Sequence, residues 1–264
     1  MTLVEALGIA AGDVVALIGG GGKTTAMFRL AREIVDRGEP ALTTTTTHIF
    51  GAQVALAPAH VRAGDATRET ILAALAAHRH VLVIGPTDPA TGRAAGIPLE
   101  LFTRLRGWCP GVRLLNEADG SRGRPFKAPA QHEPAIPAET TVVVPVVGAD
   151  VFGRALEAEH VHRPELVGRL TGAAPGARVT PELVARVLAH PEGGRKNVPP
   201  TAWVVVLINK VETLADREPA RETAERLLRE PAIESVVLGA ASEDEPVLEV
   251  CARSAKTFHI GRSR

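Results

Sequence analysis

Several signals that would place a chain in a special environment are missing. There are only two cysteines, Cys109 and Cys251. That is too few for a disulfide framework, so reduced thiols are expected. Charge of either sign is not in excess: 30 Lys and Arg balance 30 Asp and Glu, and the formal net charge is zero. No global field then draws the chain to nucleic acid or to an anionic membrane, and neither is expected as a partner. No uncharged apolar run approaches the roughly 20 residues that span a bilayer. The opening MTLVEALGIAAGD lacks a basic region and carries Glu5 and Asp13, so it does not read as a signal peptide. A cytoplasmic location is the expectation. No repeat or low-complexity tail is present. What remains is 264 residues, 45% hydrophobic and 23% charged, enough for a substantial core in one α/β domain over 1–264.

The chain is organised around Val14 to Thr25, VVALIGGGGKTT. An apolar β-branched run stops at Gly19, Gly20, Gly21 and Gly22, and Lys23, Thr24 and Thr25 follow. Met27, Leu30, Ala31, Ile34 and Val35 then lie on one helical face. Strand, glycine loop, Lys-Thr and helix are the context of a phosphate-binding loop. Glycines let backbone N–H groups curl around an anion, and the helix N-terminus adds partial positive charge. Lys23 would neutralise β- and γ-phosphates and the Thr24 hydroxyl would meet Mg²⁺. The usual first glycine, six residues before the lysine, is Leu17 here. The loop is therefore a shortened G-x-x-G-K-T, similar to those of Mur-ligase-type nucleotide sites.

Apolar runs flanked by turns predict further strands at 40–47, 81–85, 112–115, 142–148, 203–208 and 235–238, with Pro145 arguing for a bulge or an edge position. Helices are expected over 66–78, with Thr67 as N-cap, and over 98–106 and 219–229. From 150 to 200 short helical stretches alternate with Gly/Pro turns, which reads as a helical insertion. Strands separated by helices imply parallel pairing through right-handed crossovers. The expected fold class is α/β, a doubly wound, mostly parallel sheet of P-loop NTPase type with a helical insertion.

A second constellation spans Val112 to Pro137, VRLLNEADGSRGRPFKAPAQHEPAIP. Its strand delivers Glu117 and Asp119 to the carboxyl edge, where open α/β sheets bind ligands. One of them, with Asp119 preferred because Gly120-Ser121 gives it an exposed turn, would hold Mg²⁺ opposite Thr24. Arg122, Arg124, Lys127 and His132 follow on a proline-stiffened loop suited to an anionic ligand. Thr46, Thr47 and His48, after the first crossover, would face the same ligand. Asn209-Lys210-Val211-Glu212 resembles the N-K-x-D base-recognition element of GTPases, with Glu212 one methylene longer than the usual Asp. Gly239 to Ser242 stands where such proteins place a second base loop.

GGGGKTT, TTTTTH, NEADGSRG-PFKAPA-HEP-IP, HRPE at 162–165 and VLINKVE together resemble the YqeC-type accessory proteins, over roughly Leu7 to Ala240. That resemblance implies a P-loop protein that helps to mature selenium-dependent molybdenum hydroxylases. A hydroxylase or a molybdenum cofactor nucleotidyltransferase would be its partner. The expected function is a Mg²⁺-dependent NTPase taking GTP or ATP, with Lys23, Asp119 and Glu117 as catalytic residues. A kinase or ligase acting on a small anionic precursor, and a nucleotide-gated delivery chaperone, are the alternatives. Pro164 would open a helix, Gly193–Lys196 is a basic turn, and Cys109 is expected to be a buried thiol.

Overall fold

The structure is a computed structural model that describes residues 1–253. Thr2 caps a short first helix, α1 (Leu3–Ala6), accepting from Glu5 N. β1 (Val14–Gly19) then runs through the centre of the molecule and the glycine loop feeds α2 (Lys23–Asp36). A crossover returns to β2 (Ala41–Thr45), followed by β3 (His48–Phe50), α3 (Gly51–Val54) and β4 (His60–Arg62). Thr67 accepts from Thr70 N at the start of α4 (Arg68–His78), which leads to β5 (His80–Ile84), β6 (Arg93–Ala95), α5 (Leu99–Trp108) and β7 (Arg113–Glu117). The remainder is β8 (Phe126–Lys127), β9 (Val142–Gly148), β10 (Val161–His162), α6 (Pro164–Thr171), α7 (Pro181–Ala189), β11 (Trp203–Asn209), α8 (Leu214–Leu227), β12 (Ser235–Gly239) and β13 (Val247–Ala252).

Nine strands form one sheet in the order β13-β12-β11-β9-β1-β7-β2-β5-β4, and all the pairings are parallel except β12 with β13. This is the doubly wound α/β fold expected. β7 and β9 flank β1 on opposite sides, so the strand order reverses at the glycine loop, the position where open sheets form a crevice. Both faces are covered, which is why the strands read as continuous apolar runs. On one face Leu3, Met27, Leu30 and Ile34 cluster with Val15, Leu17, Val144 and Val146. On the other, Leu183, Val187 and Leu227 close over Val206, Ile208 and Val236. Among the described residues no helix is long and apolar enough to cross a membrane.

Three local expectations are corrected. Pro145 lies neither at an edge nor in a bulge: β9 is a central strand between β1 and β11. Its ladder with β11 pairs Val204 with Val143, then resumes in the same register at Leu207 with Val146, so the missing N–H interrupts pairing without displacing the strand. Helix α8 begins at Leu214 rather than Pro219, because Asp216 bonds the N–H and hydroxyl of Thr213 and starts the helix five residues earlier. Finally, β13 follows the last strand expected; its VLEVCA pattern alternates too weakly to mark an antiparallel edge strand.

Candidate functional site: the glycine loop and its carboxylates

The glycine loop is held from three sides. Gly20 N donates to Val146 O (2.9 Å), Gly21 N to Arg124 O (3.0 Å) and Gly19 N to Asp119 (3.0 and 3.1 Å). Space is the reason for glycine. Gly21, at φ +77°, lies so close to Gly148 that a Cβ would land on its backbone N, and one at Gly22 (φ +108°) would meet Asn209 Nδ2. The α2 ladder opens with Ala26 N donating to Gly22 O, so the N–H groups of Lys23, Thr24 and Thr25 point out of the helix end. These are the free donors an anion would meet.

The side chains around this end form a dense charged set. Lys23 Nζ donates to Gly19 O (2.6 Å) and lies 3.4 Å from Asp119 Oδ1 and 3.7 Å from Glu117 Oε1. Thr24 Oγ1 donates to Glu117 Oε2 over 2.6 Å. Thr24's carboxylate partner is therefore Glu117, not Asp119. The reason is that β7 runs two residues further than the apolar pattern suggested, ending at Glu117 beside Leu17 of β1. Burial pushes the Glu117 carboxyl above its ordinary range, opposed by the Lys23 ammonium and the Thr24 hydroxyl. Asp119 faces Gly19 and sits between two lysines, Lys23 and Lys127.

Lys127 does not reach out to a ligand from its loop, as the sequence suggested. Its ammonium is buried on Asp119 Oδ2 (3.1 Å), Glu133 Oε2 (2.7 Å) and Gly120 O (2.7 Å). Glu133 in turn accepts from Arg163 Nη1 (2.6 Å) and Nη2 (3.3 Å). Lys23, Asp119, Lys127, Glu133 and Arg163 thus alternate in sign from the glycine loop to the start of α6. Burial opposes ionisation of Glu133, but Arg163 and Lys127 outweigh it and hold the carboxyl down to about 2. Buried charges that occur in opposite-sign contact lose less on leaving water, and the available sequence signal is the presence of both signs among the prolines of 117–134. Sequence reasoning missed the partnership and the part played by Glu133. It also missed Lys196, whose ammonium donates to Ala130 O and Gln131 O and so clasps the same loop.

Of the other residues expected near a ligand, Arg122, His132 and His48 are exposed and Thr47 is half-buried beside Gly120. The threonine run is explained by carbonyls and a ring nitrogen: Thr43 meets His80 Nε2, Thr44 bonds Val83 O, Thr45 bonds Glu117 O and Thr46 bonds Ala135 O. Cys109 is buried, as expected. Asn209, at the end of β11, donates to Gly21 O and accepts from Ala241 N, both at 2.8 Å. One buried amide therefore ties the glycine loop to the segment after β12. Lys210 takes a left-handed conformation (φ +62°) and pairs with Asp150 (2.7 Å), while Glu212 is exposed.

The geometry can do three things chemically: present backbone donors and an ammonium to an anion, offer a hydroxyl and a carboxylate side by side, and tie Gly19 and Lys23 to one buried carboxylate, Asp119. Hard divalent cations such as Mg²⁺ take oxygen ligands and keep several from water and phosphate. The Thr24–Glu117 pair fits such an ion.

The family model described as YqeC protein matches residues 15–165. The uncharacterized protein YqeC of Escherichia coli (strain K12) is 30% identical over 239 residues, covering 87% of this chain and 88% of that one. Among solved structures, the crystal structure of FtsY from Mycoplasma mycoides superposes with a TM-score of 0.35 at 10% identity, covering 91% of this chain and 63% of that one. Match and identity together show that the chain belongs to the YqeC family.

Proposed function

We propose that this protein binds a nucleoside triphosphate with Mg²⁺ and uses it in phosphoryl chemistry. The observation that carries this reading is the Thr24–Glu117 contact beside Lys23, at the N-terminus of α2 where β7 ends next to the central strand β1. The N–H groups of Lys23, Thr24 and Thr25 would face the phosphates, and the Lys23 ammonium would offset β/γ charge. Glu117, rather than the Asp119 favoured on sequence, would hold Mg²⁺ with Thr24. When bound, that ion would neutralise charge on the phosphates. Asp119 would keep Gly19 and Lys23 in place. Asn209, Lys210, Glu212 and Ala241 would border the base of GTP or ATP.

The setting we propose, from the motif resemblance read in the sequence, is service to selenium-dependent molybdenum hydroxylases in the cytoplasm, with the enzyme or a molybdenum cofactor nucleotidyltransferase as partner. The segment 150–200 would be the docking insertion. A kinase or ligase reading, with phosphoryl transfer to a small acid, draws support from the cations Arg122 and Arg163 beside the loop. Calorimetric titration with non-hydrolysable GTP and ATP analogues, with and without Mg²⁺, tests the binding claim. Affinity should rise with Mg²⁺ in the wild type and lose that dependence in Glu117→Gln. Mg²⁺-independent binding would refute the assignment of Glu117.

A further inference from the structure

The charged chain leaves two groups out. Lys23, Asp119, Lys127, Glu133 and Arg163 are all engaged with one another, whereas Arg122 and His162 make no side-chain hydrogen bond or ion pair among the described residues. Both stand beside the glycine loop. Arg122 follows Asp119 by three residues, on a left-handed turn (φ +51°) whose continuation, Arg124 O, accepts Gly21 N. His162 of β10 pairs in register with Lys127 of β8, whose ammonium lies on Asp119.

The charge around His162 is unbalanced. Arg163 on its own segment, Lys127 from β8 and Arg122 from the turn after β7 act on the ring with one carboxylate, Glu133. Burial and then these cations push its pKa down to about 4. Helix α6 starts next to the ring with Pro164 in its first turn and no side-chain cap, adding its N-terminal partial charge. Positive charge with free donors on an accessible edge is the environment of a bound anion.

We propose that Arg122 and His162 form a second anion site beside the glycine loop, which takes the phosphate group of a small ligand other than the nucleotide. A guanidinium fork suits a phosphate edge, and an imidazole keeps a ring N–H to donate to it whether neutral or protonated. As the anchor of an acceptor, the site rests on the nucleotide reading; as a phosphate site, it stands without it.

The probe is inorganic phosphate, added to Lys23→Ala protein so that the glycine loop does not compete. His162 is followed by NMR of the histidine rings, and its resonance is identified by loss in His162→Gln. Phosphate should raise the titration midpoint from about 4 towards 6.5. Arg122→Ala should weaken phosphate by about tenfold or more, and Arg122→Lys should restore part of the affinity. An unmoved midpoint, equal affinity in Arg122→Ala, or an equal response to acetate would overturn the proposal. The nucleotide site is measured separately on the wild type. If nucleotide fails to bind while His162 still answers to phosphate through Arg122, the proposed function falls and this site stands.

Discussion

Both carboxylate oxygens of Asp119 lie on the N–H of Gly19, at 3.0 and 3.1 Å, across 100 residues of chain. One residue so joins the end of β7 to the start of the glycine loop and at the same time separates the ammonium groups of Lys23 and Lys127.

Removing that carboxylate takes from two buried lysines the anion they share, and leaves Lys23 only the carboxylate of Glu117 at 3.7 Å and Lys127 only that of Glu133 at 2.7 Å. Asp119→Ala should cost about 3–5 kcal/mol of stability, and Asp119→Asn less, since the amide oxygen can still accept from Gly19. Urea unfolding of both variants measures this. An Asp119→Ala protein as stable as the wild type would remove the clamp from the account.

The loop's glycines are required by space as well as by φ. Gly21→Ala, whose Cβ would land on Gly148 N, should lose on the order of 2–3 kcal/mol and weaken nucleotide binding. Gly38→Ala, also at positive φ but with nothing within 4 Å, should carry only the cost of φ. Thermal melts of the pair separate crowding from conformation.

Asn209 is predicted to be structural first. Asn209→Ala loses bonds to Gly21 O and Ala241 N, both buried, and should cost about 2–3 kcal/mol while loosening the glycine loop. Glu212 is exposed, so Glu212→Ala should leave the melting temperature unchanged. If Glu212 contacts the base, that variant should alter the ratio of GTP to ATP affinity, which competition titration reads directly.

Acid should unfold the protein in two stages. His80, pushed to about 4 by burial, and His162, also held to about 4, bind protons more readily unfolded, so their contribution is complete above 6.5 and fades as pH falls towards 4. Glu133, held to about 2, contributes fully above 4.5 and loses that stability as pH falls towards 2. Chemical unfolding from pH 8 to 3 should show His80→Gln flattening the upper stage and Glu133→Gln the lower. A wild-type profile flat from 7 to 5 would contradict the first.

The sequence made the central unit legible because several local signals coincide there. Val14–Thr25 needs apolar β-branched residues, glycines and an amphipathic helix in immediate succession, and Thr67 announces its helix by its own side chain. Strands of two or three residues, such as β8 and β10, are too short to carry a period. The pairing of Thr24 with Glu117 depended on where β7 ends, which burial in the sheet decides and local composition does not. Lys127 read as a cation facing an anionic ligand because its partners, Glu133 and Asp119, come close only when the 119–134 loop folds back on itself. Pro145 misled because the rule against central-strand proline is statistical, and a short break in one ladder is tolerated where both faces are buried.

The central claim is that Lys23 and its loop bind the phosphates of a nucleotide. Calorimetric titration of wild type and Lys23→Ala with Mg²⁺ and non-hydrolysable GTP and ATP analogues tests it most directly. Saturable binding of at least one analogue to the wild type is expected, with a loss of about a hundredfold or more in Lys23→Ala, since a buried charge-assisted contact is worth about 2–3 kcal/mol. Equal affinity in the two proteins, or no binding to the wild type at millimolar analogue, would contradict it.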